Sequence, residues 1–154
     1  HLRTRRQRQM CIRDRDVKVI STLQQWIDYT LTRLMDHGIS DQRVVLDPGI
    51  GFGKTAQHSW EILTQLDALQ KKDAKLLIGH SRKSFLNTVT NIPFSDRDPA
   101  TYAVSGMLAA QKVDYLRVHD ISGHRLYLDT LAYSQQLQQR SDEYEDAPLA
   151  HSAR

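Results

Sequence analysis

The sequence predicts an α/β fold built on parallel strands, and three observations carry that prediction. Apolar residues recur at helical spacing in several separate stretches. Between them lie three short apolar runs, each ending in glycine or polar residues. The runs are 32 residues apart from Leu46 to Ile78 and 40 apart from Ile78 to Val118, the spacing that right-handed helical crossovers between parallel strands need.

The elements follow in order from residue 16. Val19, Ile20, Leu23, Trp26, Ile27, Leu31 and Leu34 define an amphipathic helix, and Gly38 supplies its stop. Residues 43–47 (RVVLD) form the first strand, closed by Pro48 and Gly49. A helix burying Ile62, Leu63, Leu66 and Leu69 leads to the second strand, residues 75–79 (KLLIG), and another helix is expected over 81–89. Asp98 reads as an N-cap with Pro99 in the first turn of a helix carrying Val104, Met107 and Leu108 among small residues. Residues 114–120 (DYLRVHD) form the third strand, and a last helix over about 123–139 turns Leu126, Leu131 and Leu137 inward. A polar tail over 141–154 is expected to fray.

Composition narrows the function classes. The net charge of +3 invites a nucleic-acid reading, but residues 1–15 hold six of the 21 Lys and Arg and one of the 18 Asp and Glu, so the remainder has 15 cations against 17 acids. That basic leader lacks interleaved aromatics and apolar periodicity, and reads as disordered or non-native rather than as a nucleic-acid arm. No run approaches the ~20 apolar residues of a membrane helix, so neither nucleic acid nor membrane is an expected partner. The single cysteine, Cys11, lies in the leader, which leaves the body without a disulfide or thiolate and suits a cytoplasmic protein.

The polar residues gather where the strands end, the place ligands bind in both open and closed parallel-sheet folds. Residues 47–55 (DPGIGFGKT) approach a phosphate-binding P-loop, but the required G-x-x-x-x-G-K-[ST] puts Pro48 where the first glycine belongs. Proline has no N–H to offer a phosphate. Gly49, Gly51 and Gly53, alternating with Ile50, Phe52 and Lys54, instead suit a backbone lying close to a flat ligand; the alternative is a tight turn with Lys54 solvated. Asp47 at a buried strand end needs donors, from its own loop or from a ligand with paired N–H groups. Residues 79–84 (GHSRKS) set His80, Arg82 and Lys83 at a strand-to-helix junction, against the helix dipole, as an anionic or carbonyl-rich partner would require, while Ser81 or Ser84 caps the helix. Arg117 and His119 project from one face of the third strand, opposite Leu116 and Val118, and make a site for phosphate or diphosphate oxygens. Asp120 either orients that imidazole or caps the last helix.

In this order and at these spacings, D-P-G-I-G-F-G-K, G-H-S-R-K-S-F and R-V-H-D resemble the signature segments of dihydropteroate synthase, and R-D-P-A-T at 97–101 adds to the match. The resemblance covers residues 16–140 or nearly so. It implies the C-terminal portion of a (β/α)8 TIM barrel, a transferase that condenses 6-hydroxymethyl-7,8-dihydropterin diphosphate with p-aminobenzoate to 7,8-dihydropteroate in folate biosynthesis. It further implies that Asp47 accepts the pterin's N–H groups, Lys83 donates to its carbonyl and ring nitrogen, and Gly79 lines its slot. The resemblance sets Phe52 and Ser84 beside p-aminobenzoate, counts Gly51 among the substrate-binding residues, and has Arg117 and His119 hold the departing diphosphate. Lys83, Arg117 and His119 are then the catalytic residues. Magnesium assists in the family, with ligands expected from the absent first half of the barrel and from the diphosphate rather than from this chain. A homodimer is expected of the complete protein, and an incomplete site of this one. The alternatives are a pterin-dependent methyltransferase domain, or a non-catalytic fragment that keeps only binding or dimerisation surfaces.

Overall fold

The computed structural model describes residues 18–71 and 73–145, without the side chains of 141–145. The leader at 1–15, its Cys11 and the tail beyond 145 lie outside the described residues. Helix α1 (Val19–Asp36) packs against a 3-10 turn at Leu66–Leu69, and β1 (Val45–Leu46), α2 (Ala56–Thr64), β2 (Lys75–Ile78), α3 (Asp98–Ala110), β3 (Tyr115–Leu116) and α4 (Ile121–Glu145) follow. The sheet order is β1-β2-β3, both pairs parallel, with Leu46 beside Leu76 and Ile78 beside Leu116.

One face of this sheet is covered. Leu46, Leu76 and Ile78 are buried in one core with Val19, Leu23, Ile27 and Leu31 of α1, Ile62 and Leu63 of α2, and Val104 and Leu108 of α3. The α1 residues are four apart, which keeps them on one stripe of the helix. Complete burial of each such side chain is worth roughly 1.5–3 kcal/mol. The other face carries Val45, Lys75 and Tyr115, all exposed.

Local chemistry fixes several boundaries. Gly38, at φ +78°, lets its own N–H and that of Ile39 return to the Met35 and Leu34 carbonyls, which ends α1 where the sequence placed a stop. Thr55 caps α2 by accepting from the His58 N–H at 3.0 Å. Gly106 of α3 makes room for Tyr127 of α4: a Cβ there would meet the phenol oxygen at 2.8 Å.

Other expectations need correction. The segment expected to be helical over 81–89 is a 3-10 turn at Ser84–Thr88, preceded by a separate turn at Ser81 and Arg82, because Arg82 adopts a left-handed conformation that no helix can continue. Asp98 is the first residue of α3, not its cap; the cap position is Arg97, with no side-chain bond, and the Asp98 carboxylate is taken by Arg82. Strand three keeps its ladder for only Tyr115–Leu116, extended by an Arg117 N–H bond to the Ile78 carbonyl. Trp26 and Met107 face outward. On α4 the residues turned inward are His124, Tyr127, Leu128 and Leu131, on one helical face; Leu126, 71% exposed, and Leu137 lie off it. That helix also runs on through Glu145, past the residue where a tail was expected to begin.

Candidate functional site

The loops that leave β1, β2 and β3 meet at the carboxyl ends of the strands. In the first, Asp47 Oδ1 accepts the Gly49 N–H at 2.8 Å, so its own loop supplies one donor. Gly49, Gly51 and Gly53 all have positive φ, +70°, +75° and +61°, a conformation that side chains disfavour. Lys54 is not solvated but folds back, donating from Nζ to the Gly49 carbonyl at 3.1 Å, and burial holds its pKa below the usual lysine range. A lysine spent on its own loop is not a P-loop lysine.

The loop after β2 sorts its three basic residues to different places. His80 is buried with Nε2 2.9 Å from Ser105 Oγ of α3, and burial pushes its pKa down to about 4, so it is neutral at physiological pH. Arg82 turns to Asp98. Lys83 alone of the three faces the strand ends. Its Nζ donates to the Ile50 carbonyl and sits 4.4 Å from the centroid of the Phe52 ring, which is otherwise exposed. Its stem lies against Gly51, where a Cβ would come within 3.1 Å of Lys83 Cδ. Burial lowers the Lys83 pKa; Asp47 opposes the shift, and Arg117 and Lys54 add to it.

Beyond β3, Arg117 crosses the mouth of the sheet. Its Nη2 lies 3.3 Å from Asp47 Oδ2, and the guanidinium passes over Gly79, where a Cβ would meet Nη2 at 2.7 Å. His119 Nδ1 pairs with Ser81 Oγ at 2.8 Å, and its ring meets Phe94 edge-on at 5.5 Å. A pocket of about 250 Å³ opens among Gly79, Ser81, Lys83, Arg117, Val118 and His119. With Lys54, Lys83 and Arg117 around the single carboxylate of Asp47, the mouth favours an anion. The volume lies below the usual ligand-pocket range and is suited to a small polyatomic group.

The structure thus brings together Gly79, Lys83, Arg117 and His119 in one pocket, with Asp47 on Arg117, and Gly51 and Phe52 on Lys83. Ser84 is exposed at the start of a short 3-10 turn, outside the pocket lining, and neither it nor Ser81 caps that turn. No α-helix begins there, so residues 79–84 face no α-helix dipole. Val118 lines the pocket beside Arg117 and His119, because strand alternation has ended at Leu116. Asp120 does not reach the imidazole of His119: Oδ1 accepts the Gly123 N–H at 3.0 Å at the start of α4, and Oδ2 accepts the Tyr102 hydroxyl. Ser81, Val118 and Phe94 are the members that sequence reasoning missed. Ser81 lay between Gly79 and Lys83 and read as a cap; Phe94 sits in a turn with no periodicity to mark it.

Comparison with known proteins gives this geometry a family. A family model described as pterin binding enzyme matches residues 1–119, and the chain belongs to that family. It is similar to the folate synthesis bifunctional protein of Chlamydia caviae, 33% identical over 109 residues, covering 71% of this chain and 24% of that protein. It is also similar to dihydropteroate synthase of Escherichia coli K12, 34% identical over 91 residues, covering 59% of this chain and 32% of that protein. Among solved structures, the crystal structure of Anaplasma phagocytophilum dihydropteroate synthase with bound 6-hydroxymethylpterin-monophosphate superposes with a TM-score of 0.68 at 34% identity, over 73% of this chain and 44% of that one. The chain therefore spans less than half the length of these relatives, and its three parallel strands with outer helices are a portion of their TIM barrel. The open face of Val45, Lys75 and Tyr115 is the face that a barrel turns to its interior.

Proposed function

We propose that this chain supplies the diphosphate-holding wall of a dihydropteroate synthase active site, in an enzyme that joins 6-hydroxymethyl-7,8-dihydropterin diphosphate to p-aminobenzoate. The observation that carries the reading is the convergence of Lys83, Arg117 and His119 on one pocket from two separate loops. In the reaction the bond from the pterin methylene to the diphosphate oxygen breaks, and its electron pair leaves with the diphosphate. The arylamine nitrogen then forms the new bond to the methylene and loses a proton. Charge accumulates on the departing oxygens, where the Arg117 fork and the His119 ring would stabilise it. Lys83 and Asp47, facing each other across the glycine loop, offer one donor and one acceptor group to the edge of a pterin, and Phe52 and the Gly51 backbone border the same space. Ser84 is assigned to the p-aminobenzoate side on the family resemblance alone.

Magnesium is assigned to the substrate diphosphate and to parts of the barrel that this chain does not span. Among the described residues no cluster of three or more His, Cys, Asp or Glu is placed to hold a metal. A cytoplasmic enzyme acting as a homodimer completes the reading. The dimer is supported by exposed apolar residues on α4, among them Leu126 and Tyr133; among the described residues no helix is long and apolar enough to cross a membrane.

The test is synthesis of 7,8-dihydropteroate by a chimera in which this chain replaces the matching portion of the E. coli enzyme. Activity that falls at least ~100-fold in Lys83→Ala and in Arg117→Ala, as loss of a charge-stabilising donor predicts, supports the assignment. Equal activity in both variants removes it.

A further inference from the structure

Arg82 points away from the site, and its backbone and guanidinium are nevertheless held. Its N–H lies 3.2 Å from Thr101 Oγ1, and its carbonyl accepts from Arg97 Nη1 at 3.1 Å. Its guanidinium makes two parallel bonds to Asp98, Nε to Oδ1 at 2.8 Å and Nη2 to Oδ2 at 2.5 Å. The ring of Phe94 lies beneath it at 5.6 Å. All of these partners belong to residues 94–101, the entry and first turns of α3. The backbone they grip is left-handed, φ +54°, in a residue with a side chain.

Exposed ion pairs add little. This one is different in kind: both side chains are largely buried, 22% and 17% exposed, and the fork geometry fixes orientation as well as distance. Asp98 also stands in the first turn of α3 and makes no capping bond there. Ser81 and Lys83, on either side of Arg82, both line the pocket. Ser81 holds His119 and Lys83 reaches the glycine loop, so the turn at Arg82 sets the spacing of both.

We propose that the Arg82–Asp98 pair is a positioning device through which α3 holds Ser81, and with it His119, in register with Lys83 across the anion pocket. Arg82 and Asp98 are then positioning residues, acting through Ser81 and Lys83. Phe94, packed on both Arg82 and His119, couples the pair to the far wall of the pocket. The proposal deepens the diphosphate reading above and rests on it for its substrate.

The test uses the full 154-residue chain with Asp98→Asn, which keeps the shape and forfeits the charge, and Asp98→Glu, which restores a carboxylate. Inorganic pyrophosphate is titrated by calorimetry, and the His119 ring is observed by 15N NMR, whose Nδ1 signal reports the bond to Ser81. The expected result is about tenfold weaker pyrophosphate binding and a displaced His119 Nδ1 signal in Asp98→Asn, with both recovered in Asp98→Glu. An unmoved His119 signal in Asp98→Asn overturns the proposal even where affinity falls, since that pattern means lost charge without lost geometry. Failure of the unsubstituted chain to bind pyrophosphate removes the diphosphate reading instead, and the His119 signal then decides the positioning role alone. Should circular dichroism show Asp98→Asn unfolded, Arg82→Lys takes its place with the same readouts; it keeps the charge and loses the fork, and an unmoved His119 signal there overturns the proposal.

Discussion

Acidification should destabilise this fold through His80. The ring is fully buried, and burial is the largest cause of its depressed pKa; the Thr101 and Ile78 backbones oppose the shift, while His124 on α4 and the neighbouring Lys83 deepen it. The pKa falls from 6.5 to about 4. Because the unfolded chain takes up the proton first, the stabilising effect of the neutral ring is fully present above pH 6.5 and is lost as pH falls toward 4. Between pH 7.5 and pH 4.5 linkage gives a loss of roughly 2–3 kcal/mol from this one group. The assay is urea unfolding at both pH values for the unsubstituted chain and for His80→Gln, which can still offer Ser105 an amide but cannot titrate. The difference in unfolding free energy between the two pH values should shrink by roughly 2–3 kcal/mol in His80→Gln. An unchanged difference would refute the claim that His80 is held neutral.

Three further substitutions separate the site from the scaffold. Gly79→Ala puts a Cβ 2.7 Å from Arg117 Nη2, at the end of a flexible side chain; stability by thermal unfolding should change by less than ~1 kcal/mol, while pyrophosphate binding measured by calorimetry weakens. Gly51→Ala should cost roughly 1–2 kcal/mol in the same unfolding assay, because its φ of +75° is left-handed, and should also disturb Lys83 at 3.1 Å. Thr55→Ala removes the cap of α2 and should cost about 1 kcal/mol in denaturant unfolding with ligand binding retained.

The legible part of the fold was the part that burial period controls. Leu23, Ile27 and Leu31 of α1, Leu76 and Ile78 of β2, and Leu108 of α3 are buried where their spacing put them. The errors on α4 came from counting apolar residues without their helical phase: Leu126 and Leu137 do not share a face with Leu131, whereas His124, Tyr127 and Leu128 do. Asp47, Gly79, Lys83, Arg117 and His119 meet at the strand ends, and they stood out as candidates because a polar residue or glycine at the end of an apolar strand has few structural explanations. Their internal pairing could not. Whether Arg82 faces a ligand or Asp98, and whether Ser81 caps a helix or holds His119, depends on a single left-handed residue, and nothing in the side chain of an arginine announces that conformation.

Titration of the chain with inorganic pyrophosphate, followed by calorimetry, tests the central claim most directly. Binding at one site that weakens at least ~10-fold in both Arg117→Ala and His119→Ala is the predicted result. Absence of binding, or binding that neither substitution alters, would contradict the assignment of this pocket to diphosphate.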